Sequence, residues 1–383
     1  MVRVVPLQLR LPVPRRLARF TSVSYEQGTG QQPIHPEAYH HLLFPHLYMP
    51  ELPPDQTAGY RQTLLRQWET AGFFEDGPGP RMFLYRQVHA DFTSEGWIAG
   101  VDVEDYRRGC VKKHENILPE RARQIAEYFG QVHLNGSPIL LMHRRVEEAA
   151  ALREAVTQRS PTFSFTDEQD TTHAGWMLTA EEAQHLAMLF SAVSALYIGD
   201  GHHRCRAYDV YYRRRGGSGP MMAFIAAEDQ VRVSSFHRLL SPMRSIEKSA
   251  AEAFFSLEFG EPVAEYAALE EALVHSGEVG LYTGRSVTVY ALPDRQTPEV
   301  AQVDPVLDEL RKGTRIGLDY VNSRLPAEQL RQLVDDRSGV LVLLPPLPLR
   351  TIFRYADQGA TLPPKATWLE PKMRSGLFLH RMG

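Results

Sequence analysis

Ala195-Leu196-Tyr197-Ile198-Gly199-Asp200-Gly201-His202-His203-Arg204 opens with a short apolar run and passes through a glycine-flanked acid. From His202 to Arg215 the composition turns helical, with Ala207, Tyr208 and Tyr211 on one face. This predicts a buried strand, a tight turn and a helix. Glycine on both sides of Asp200 lets backbone N–H groups approach a ligand closely, and the helix start that follows presents free donors and partial positive charge. The turn is therefore read as an anion site. His202, His203 and Arg204 crowd three potential cations into the first helical turn, where the macrodipole disfavours them, and a bound phosphate or carboxylate is the simplest reason for that crowding.

Before this stretch, Tyr60, Leu64, Leu65, Trp68 and Phe73 recur at helical spacing, with Gly72 as the stop. Met82 to Val88 and Gly96 to Val103 read as a hairpin, Pro119 to Leu134 as a helix ended by Asn135-Gly136, and Pro138 to Met142 as a buried strand. Helices are predicted over 146–159 and 179–194. After the turn, Met221 to Ala227 and Gln230 to Ser234 read as a strand pair. Helices follow around 246–255 and 266–275, with strands at 280–283, 286–292 and 339–344. Hairpins mixed with helical crossovers predict an α+β, or mixed α/β, fold rather than a regular doubly wound sheet. Two domains are expected: an α/β domain over 1–235 and a C-terminal α/β domain over 236–383 that ends in a proline-rich docking tail.

Composition narrows the function classes. The chain is 43% hydrophobic and 23% charged, as a folded globular protein is, and has no run of ~20 apolar residues to span a bilayer. The arginine-bearing start, Met1 to Phe20, is broken by prolines and reads as an opening strand or arm rather than a signal peptide. Cys110 and Cys205 are isolated and lack metal-site or disulfide spacing, which points to a reducing cytoplasm. A net charge of −4 disfavours bulk attraction to nucleic acid. Tyr211-Tyr212-Arg213-Arg214-Arg215 is a local basic patch, read as a solvated helix end.

Three clusters carry the candidate chemistry. At the turn, Asp200 is a magnesium ligand, a base for a hydroxyl proton, or simply the helix cap. Gly201, His203 and Arg204 are the phosphate-holding candidates and His202 a catalytic one. The two histidines do not suggest a shared metal, because adjacent helical side chains diverge by about 100°. In Lys112-Lys113-His114-Glu115, Glu115 is a candidate base and Lys112 and Lys113 candidate phosphate ligands. The third cluster, Lys365, Thr367, Trp368, Glu370, Lys372 and Arg374, sits in a proline-braced tail, with Lys365 the candidate ligand. Cys205 beside Arg204 has two readings, an activated thiol or a small buried hydrophobe, of which the second is preferred.

Lys112-Lys113-His114-Glu115, Tyr197 to Arg204, and Pro363-Pro364-Lys365-Ala366-Thr367-Trp368-Leu369-Glu370-Pro371-Lys372-Met373-Arg374-Ser375-Gly376 together resemble the domain of unknown function 1015 family, in the family's order and over nearly the whole chain. The chain departs from it at Ser22-Val23-Ser24-Tyr25-Glu26, where members carry a Pro-Pro-Tyr-Asp-Val type segment. The turn is also similar to the Gly-x-x-Arg element of the ParB and sulfiredoxin-like superfamily, which holds nucleotide phosphates at a helix start. That likeness implies a ParB/sulfiredoxin-like element here, with ATP or ADP and Mg2+ as cofactors. It also implies a nucleotide-dependent phosphotransferase acting on a small hydroxylated metabolite, free L-serine being the example one branch offers. The alternative it implies is a non-catalytic regulator binding nucleotide and DNA. No P-loop occurs, so an ordinary P-loop kinase is excluded.

Overall fold

The computed structural model describes residues 1–21 and 35–382; the departure at 22–26 lies outside them. The chain divides into two compact units, residues 1–231 with 371–383, and residues 232–370. Both are mixed α/β, as the alternation of hairpins and crossovers predicts.

A nine-stranded sheet forms the first unit. Its order is Val111–Lys112, Leu196–Asp200, Ile139–His143, Pro220–Ala227, Thr93–Asp102, Phe83–Val88, Thr172–Met177 and Phe163–Thr166, with Val4–Val5 also against Thr93–Asp102. Two neighbouring pairs are parallel, Val111–Lys112 with Leu196–Asp200 and Ile139–His143 with Pro220–Ala227; the others are antiparallel. The central strands are continuous apolar runs because both their faces are covered. Ile139, Leu141, Ile198, Ala223 and Ile225 belong to one core with Phe129 and Tyr208, which come from the helices Pro119–Val132 and His202–Arg214. The Phe129 and Tyr208 rings meet at 4.8 Å between centroids. A second, four-stranded sheet runs Phe74–Asp76, Leu9–Pro12, Leu379–Arg381, Leu134–Asn135. The predicted strand–turn–helix is there as Leu196–Asp200, Gly201 and His202–Arg214. The helix Thr57–Thr70 and the Phe83–Val88/Thr93–Asp102 hairpin also agree with the sequence reading.

The second unit is an antiparallel six-stranded sheet, ordered Ala264–Tyr266, Val287–Ala291, Glu278–Tyr282, Val340–Leu343, Phe236–Ser241, Gly317–Asn322. It is accompanied by the helices Ser245–Phe259, Glu299–Arg311, Ala327–Asp336 and Leu349–Asp357.

Three local expectations are corrected. No helix spans 266–275: Tyr266 ends an edge strand and a single 3-10 turn, Leu269–Glu271, follows. In this segment Leu269 is buried and Leu273 is 60% exposed. Residues 230–234 do not pair with Pro220–Ala227, since the 3-10 turn Glu228–Gln230 intervenes and Arg232–Ser234 pairs with Trp368–Glu370. The helix from Pro119 ends before Asn135-Gly136, at His133 in left-handed conformation (φ 48°), because Leu134–Asn135 is taken as a strand against Leu379–Arg381. In addition, Phe163–Thr166 and Thr172–Met177 are strands that the reading left unassigned.

Candidate functional site

Two of the three sequence clusters meet because of one parallel strand pair. Leu196 and Tyr197 lie in register with Val111 and Lys112, so both strands deliver their carboxyl ends, and the loops that follow, to the same edge of the sheet. In sheets with parallel strands that edge is where ligands bind. Gly199 allows the approach to the next strand, where a Cβ would lie 2.9 Å from the Leu140 side chain. Gly201 then turns the chain at φ 95°, and the arginine side chain folds back over it so closely that a Cβ would lie 2.8 Å from Arg204 Nε. Among the described residues, no side chain caps the helix that begins at His202.

The two histidines anchor the 114–118 loop. The backbone N–H of Leu118 donates to His203 Nε2 at 3.0 Å, and that of His114 reaches His202 Nε2 at 3.5 Å. An Nε2 that accepts leaves the proton of a neutral ring on Nδ1. In His202 that atom lies 3.6 Å from Glu115 Oε2. The rings of His114 and His202 meet edge to face at 4.7 Å. Burial, followed by the neighbouring His114, pushes His202 well below the usual histidine range; burial, Arg121 and Arg204 lower His203. Burial holds His114 down to about 4. Both members of the His-His pair are thus neutral near pH 7. The expected crowding of three cations at the helix start does not arise, and no anion is needed to offset it.

Asp200 and Arg204 carry the charge. Arg204 Nη2 donates to Asp200 Oδ2, and Lys372 Nζ lies 3.4 Å from Oδ1. Burial by itself would raise the Asp200 pKa, but Lys372 and Arg204 outweigh it and hold the carboxyl well below its ordinary range. Arg204 Nε is buried without a hydrogen-bond partner among the described residues. Glu115 is half-buried, Lys112 half-buried in its strand and Lys113 exposed. Cys205 is fully buried, and burial pushes its thiol up to about 12, so it is a core residue of the helix rather than an activated nucleophile.

The proline-braced tail divides. Lys365, Thr367, Trp368 and Glu370 belong to the second unit. There the Lys365 ammonium sits 5.1 Å from the Phe236 ring centroid, and its carbonyl accepts from Arg238, a buried residue paired with both oxygens of Asp304. Lys372 and Arg374 belong to the first unit, where Lys372 completes the charge cluster on Asp200.

Sequence reasoning missed the network that fixes this last segment. Arg374 donates to Asp167, to the Thr21 hydroxyl (2.9 Å) and to the Thr21 carbonyl (2.9 Å). Asp167 also accepts from His173 Nε2 at 3.0 Å, and Tyr85 meets His173 Nδ1 at 2.7 Å. Burial works to raise the Asp167 pKa, but the His173 hydrogen bond, the Arg374 charge and the N–H groups of Thr171 and Gln169 hold it at about 2. No motif or spacing in the sequence ties these partners together; His173 simply follows two threonines, Thr171 and Thr172. Among the described residues, no group of three or more His, Cys, Asp or Glu side chains is arranged to hold a metal.

No curated protein matches the sequence. Several solved structures are similar over most of their length. A point variant of a free serine kinase in complex with ADP is 14% identical, covering 73% of this chain and 91% of that one, with a TM-score of 0.39. SbnI from Staphylococcus aureus, truncated at its C-terminus, is 12% identical over 71% and 82% of the two chains, also with a TM-score of 0.39. A conserved hypothetical protein from Pyrococcus furiosus is 12% identical over 72% and 93%, with a TM-score of 0.36. The family model described as protein of unknown function DUF1015 matches residues 7–311. With that match spanning most of its length, the chain belongs to the DUF1015 family.

Proposed function

We propose that the Gly201–Arg204 turn cradles the phosphates of ATP or ADP, and that the protein transfers a phosphoryl group to the hydroxyl of a small metabolite, free L-serine being the specific candidate. The observation that carries the reading is a helix start with no side-chain cap, beside a buried Arg204 Nε with no hydrogen-bond partner, both among the described residues, next to which a second cation, Lys372, converges. Phosphoryl transfer rests on positioning and on neutralising charge, and these groups supply both. Backbone N–H groups of the first turn hold the phosphate oxygens. Arg204, Lys372, Lys112 and Lys113 balance their charge.

Glu115 is the base in this reading. It is partly open to solvent, and neutral His202 presents Nδ1–H toward it, orienting the carboxylate. His202, with Nε2 already approached by the His114 N–H, acts as a positioning residue. Asp200 does not fit a resident Mg2+, since its two oxygens are taken by Arg204 and Lys372 and, among the described residues, no further carboxylate joins them in a ligand group. It fits better as the anchor that aims both cations. Magnesium enters this reading only as the companion of the nucleotide's phosphates, which is its usual mode in such sites.

The test is calorimetric titration of the full chain with ATP, ADP, CTP and GTP, with and without Mg2+, on wild type and Arg204→Ala. Binding of one nucleotide that is lost in the variant supports the cradle, and phosphoserine formation from ATP and serine that is lost in Glu115→Gln supports the transfer. Absence of nucleotide binding would sink both parts.

A further inference from the structure

The second unit holds a cleft that the reading above does not use. It is about 1270 Å³, bounded by the start of the Ser245–Phe259 helix, the 283–285 hairpin turn and the 313–316 loop. This is at least the size of a small-molecule site. Four cations line it, Arg244, Lys248, Arg285 and Arg315. Arg244 is ion-paired with Glu247, whose carboxylate also takes the Arg244 N–H and so closes the helix start. Lys248 donates only a 3.4 Å hydrogen bond to the Thr283 carbonyl. Arg285 and Arg315 are exposed and have no ion-pair or hydrogen-bond partner among the described residues.

Two guanidiniums on separate loops facing one cleft, neither matched by a carboxylate, favour an anion that each can hold in bidentate fashion. The rest of the lining selects among anions. Among the described residues no aromatic side chain lines the cleft, so none of them offers a stacking face to a nucleobase. Instead Ser249, Thr283 and Thr314 bring hydroxyl or carbonyl groups, and the exposed carboxylates Glu252 and Asp335 bring acceptors for ligand hydroxyls. We infer that this cleft binds a phosphorylated polyol, its phosphate on Arg285 and Arg315 and its hydroxyls on Glu252, Asp335 and the threonines. The site is separate in its residues from the Asp200 turn.

Calorimetry on the full chain tests it, with glucose 6-phosphate, ribose 5-phosphate and glycerol 3-phosphate as probes, and glucose, inorganic phosphate and a single-stranded oligonucleotide as comparators. At least one sugar phosphate is expected to bind at least ten-fold more tightly than either glucose or inorganic phosphate. The double variant Arg285→Ala/Arg315→Ala is expected to weaken that binding at least ten-fold with an unchanged unfolding midpoint, and Arg204→Ala to leave it unaltered. The inference fails if none of the three phosphates binds, if the double variant binds them as wild type does, or if the oligonucleotide binds through the same arginines with a steep salt dependence. Because Arg204→Ala reports on the nucleotide turn alone, failure of either site leaves the other readable.

Discussion

Replacing Gly201 by alanine puts a methyl group 2.8 Å from Arg204 Nε on a backbone held at φ 95°, a region that L side chains reach only with strain. The expected loss is about 1–2 kcal/mol in urea denaturation, together with nucleotide binding; a variant as stable as wild type would show that the turn relaxes freely. Lys372→Met tests the charge cluster from its other side. With one cation gone, the Asp200 carboxyl is expected to titrate at higher pH, which carboxyl NMR reads directly, and an unmoved titration would disprove the pairing. The Asp-Gly-His-His-Arg turn was legible in the sequence because glycines and a helix start are local signals. Its histidines were read as cations, but burial lowers both, helped by His114 at His202 and by Arg121 and Arg204 at His203, and no one-dimensional pattern carries that. Lys372 was visible only as one polar residue of a tail, with nothing to tie it to an acid 172 positions earlier.

The helix His202–Arg214 is tied down by Asp209, which is 1% exposed and accepts from Arg107 Nε and Arg213 Nε, each at 2.7 Å, and from Arg206. Asp209→Ala should lower stability by about 1–3 kcal/mol, the range for leaving such partners unsatisfied, as seen in chemical denaturation. An unchanged midpoint would mean that the arginines are fully satisfied by water. The 211–215 run was read as a solvated helix end suited to the macrodipole. Arg213, Arg214 and Arg215 are all exposed accordingly, with Arg213 also donating to Asp209 and Arg215 lying 5.5 Å from the Tyr211 ring centroid. Elements with a long apolar period were legible, as in Thr57–Thr70 and Ala180–Ser191, the second opened by the Thr179–Glu182 capping box. What stayed hidden was partner choice: Arg232–Ser234 pairs with a segment more than 130 residues away rather than with its neighbour, since register depends on surfaces assembled elsewhere.

Acid should destabilise the molecule in two stages. Burial holds His40, His114, His237 and His380 at about 4 each, while the unfolded chain takes up these protons near 6.5. Their contribution is therefore complete above pH 6.5 and is lost as pH falls toward 4, at no more than about 1.4 kcal/mol per pH unit for each histidine. Asp167, held at about 2, adds a later loss between roughly pH 4 and 2. Urea midpoints measured from pH 7.5 to 3 should fall in that order, and His114→Phe should flatten the first stage; a midpoint independent of pH between 6.5 and 4.5 would contradict it. The division into units brings out a different consequence. Residues 371–383 supply the Leu379–Arg381 strand and the Lys372 contact of the first unit, while residues 232–370 form the second. During synthesis the ribosome therefore delivers every residue of the inserted unit before the surrounding one has its closing strand. The charge cluster on Asp200 therefore forms only after residues 232–370 have been synthesised, and a polypeptide stopped before Lys372 would carry the turn without its second cation.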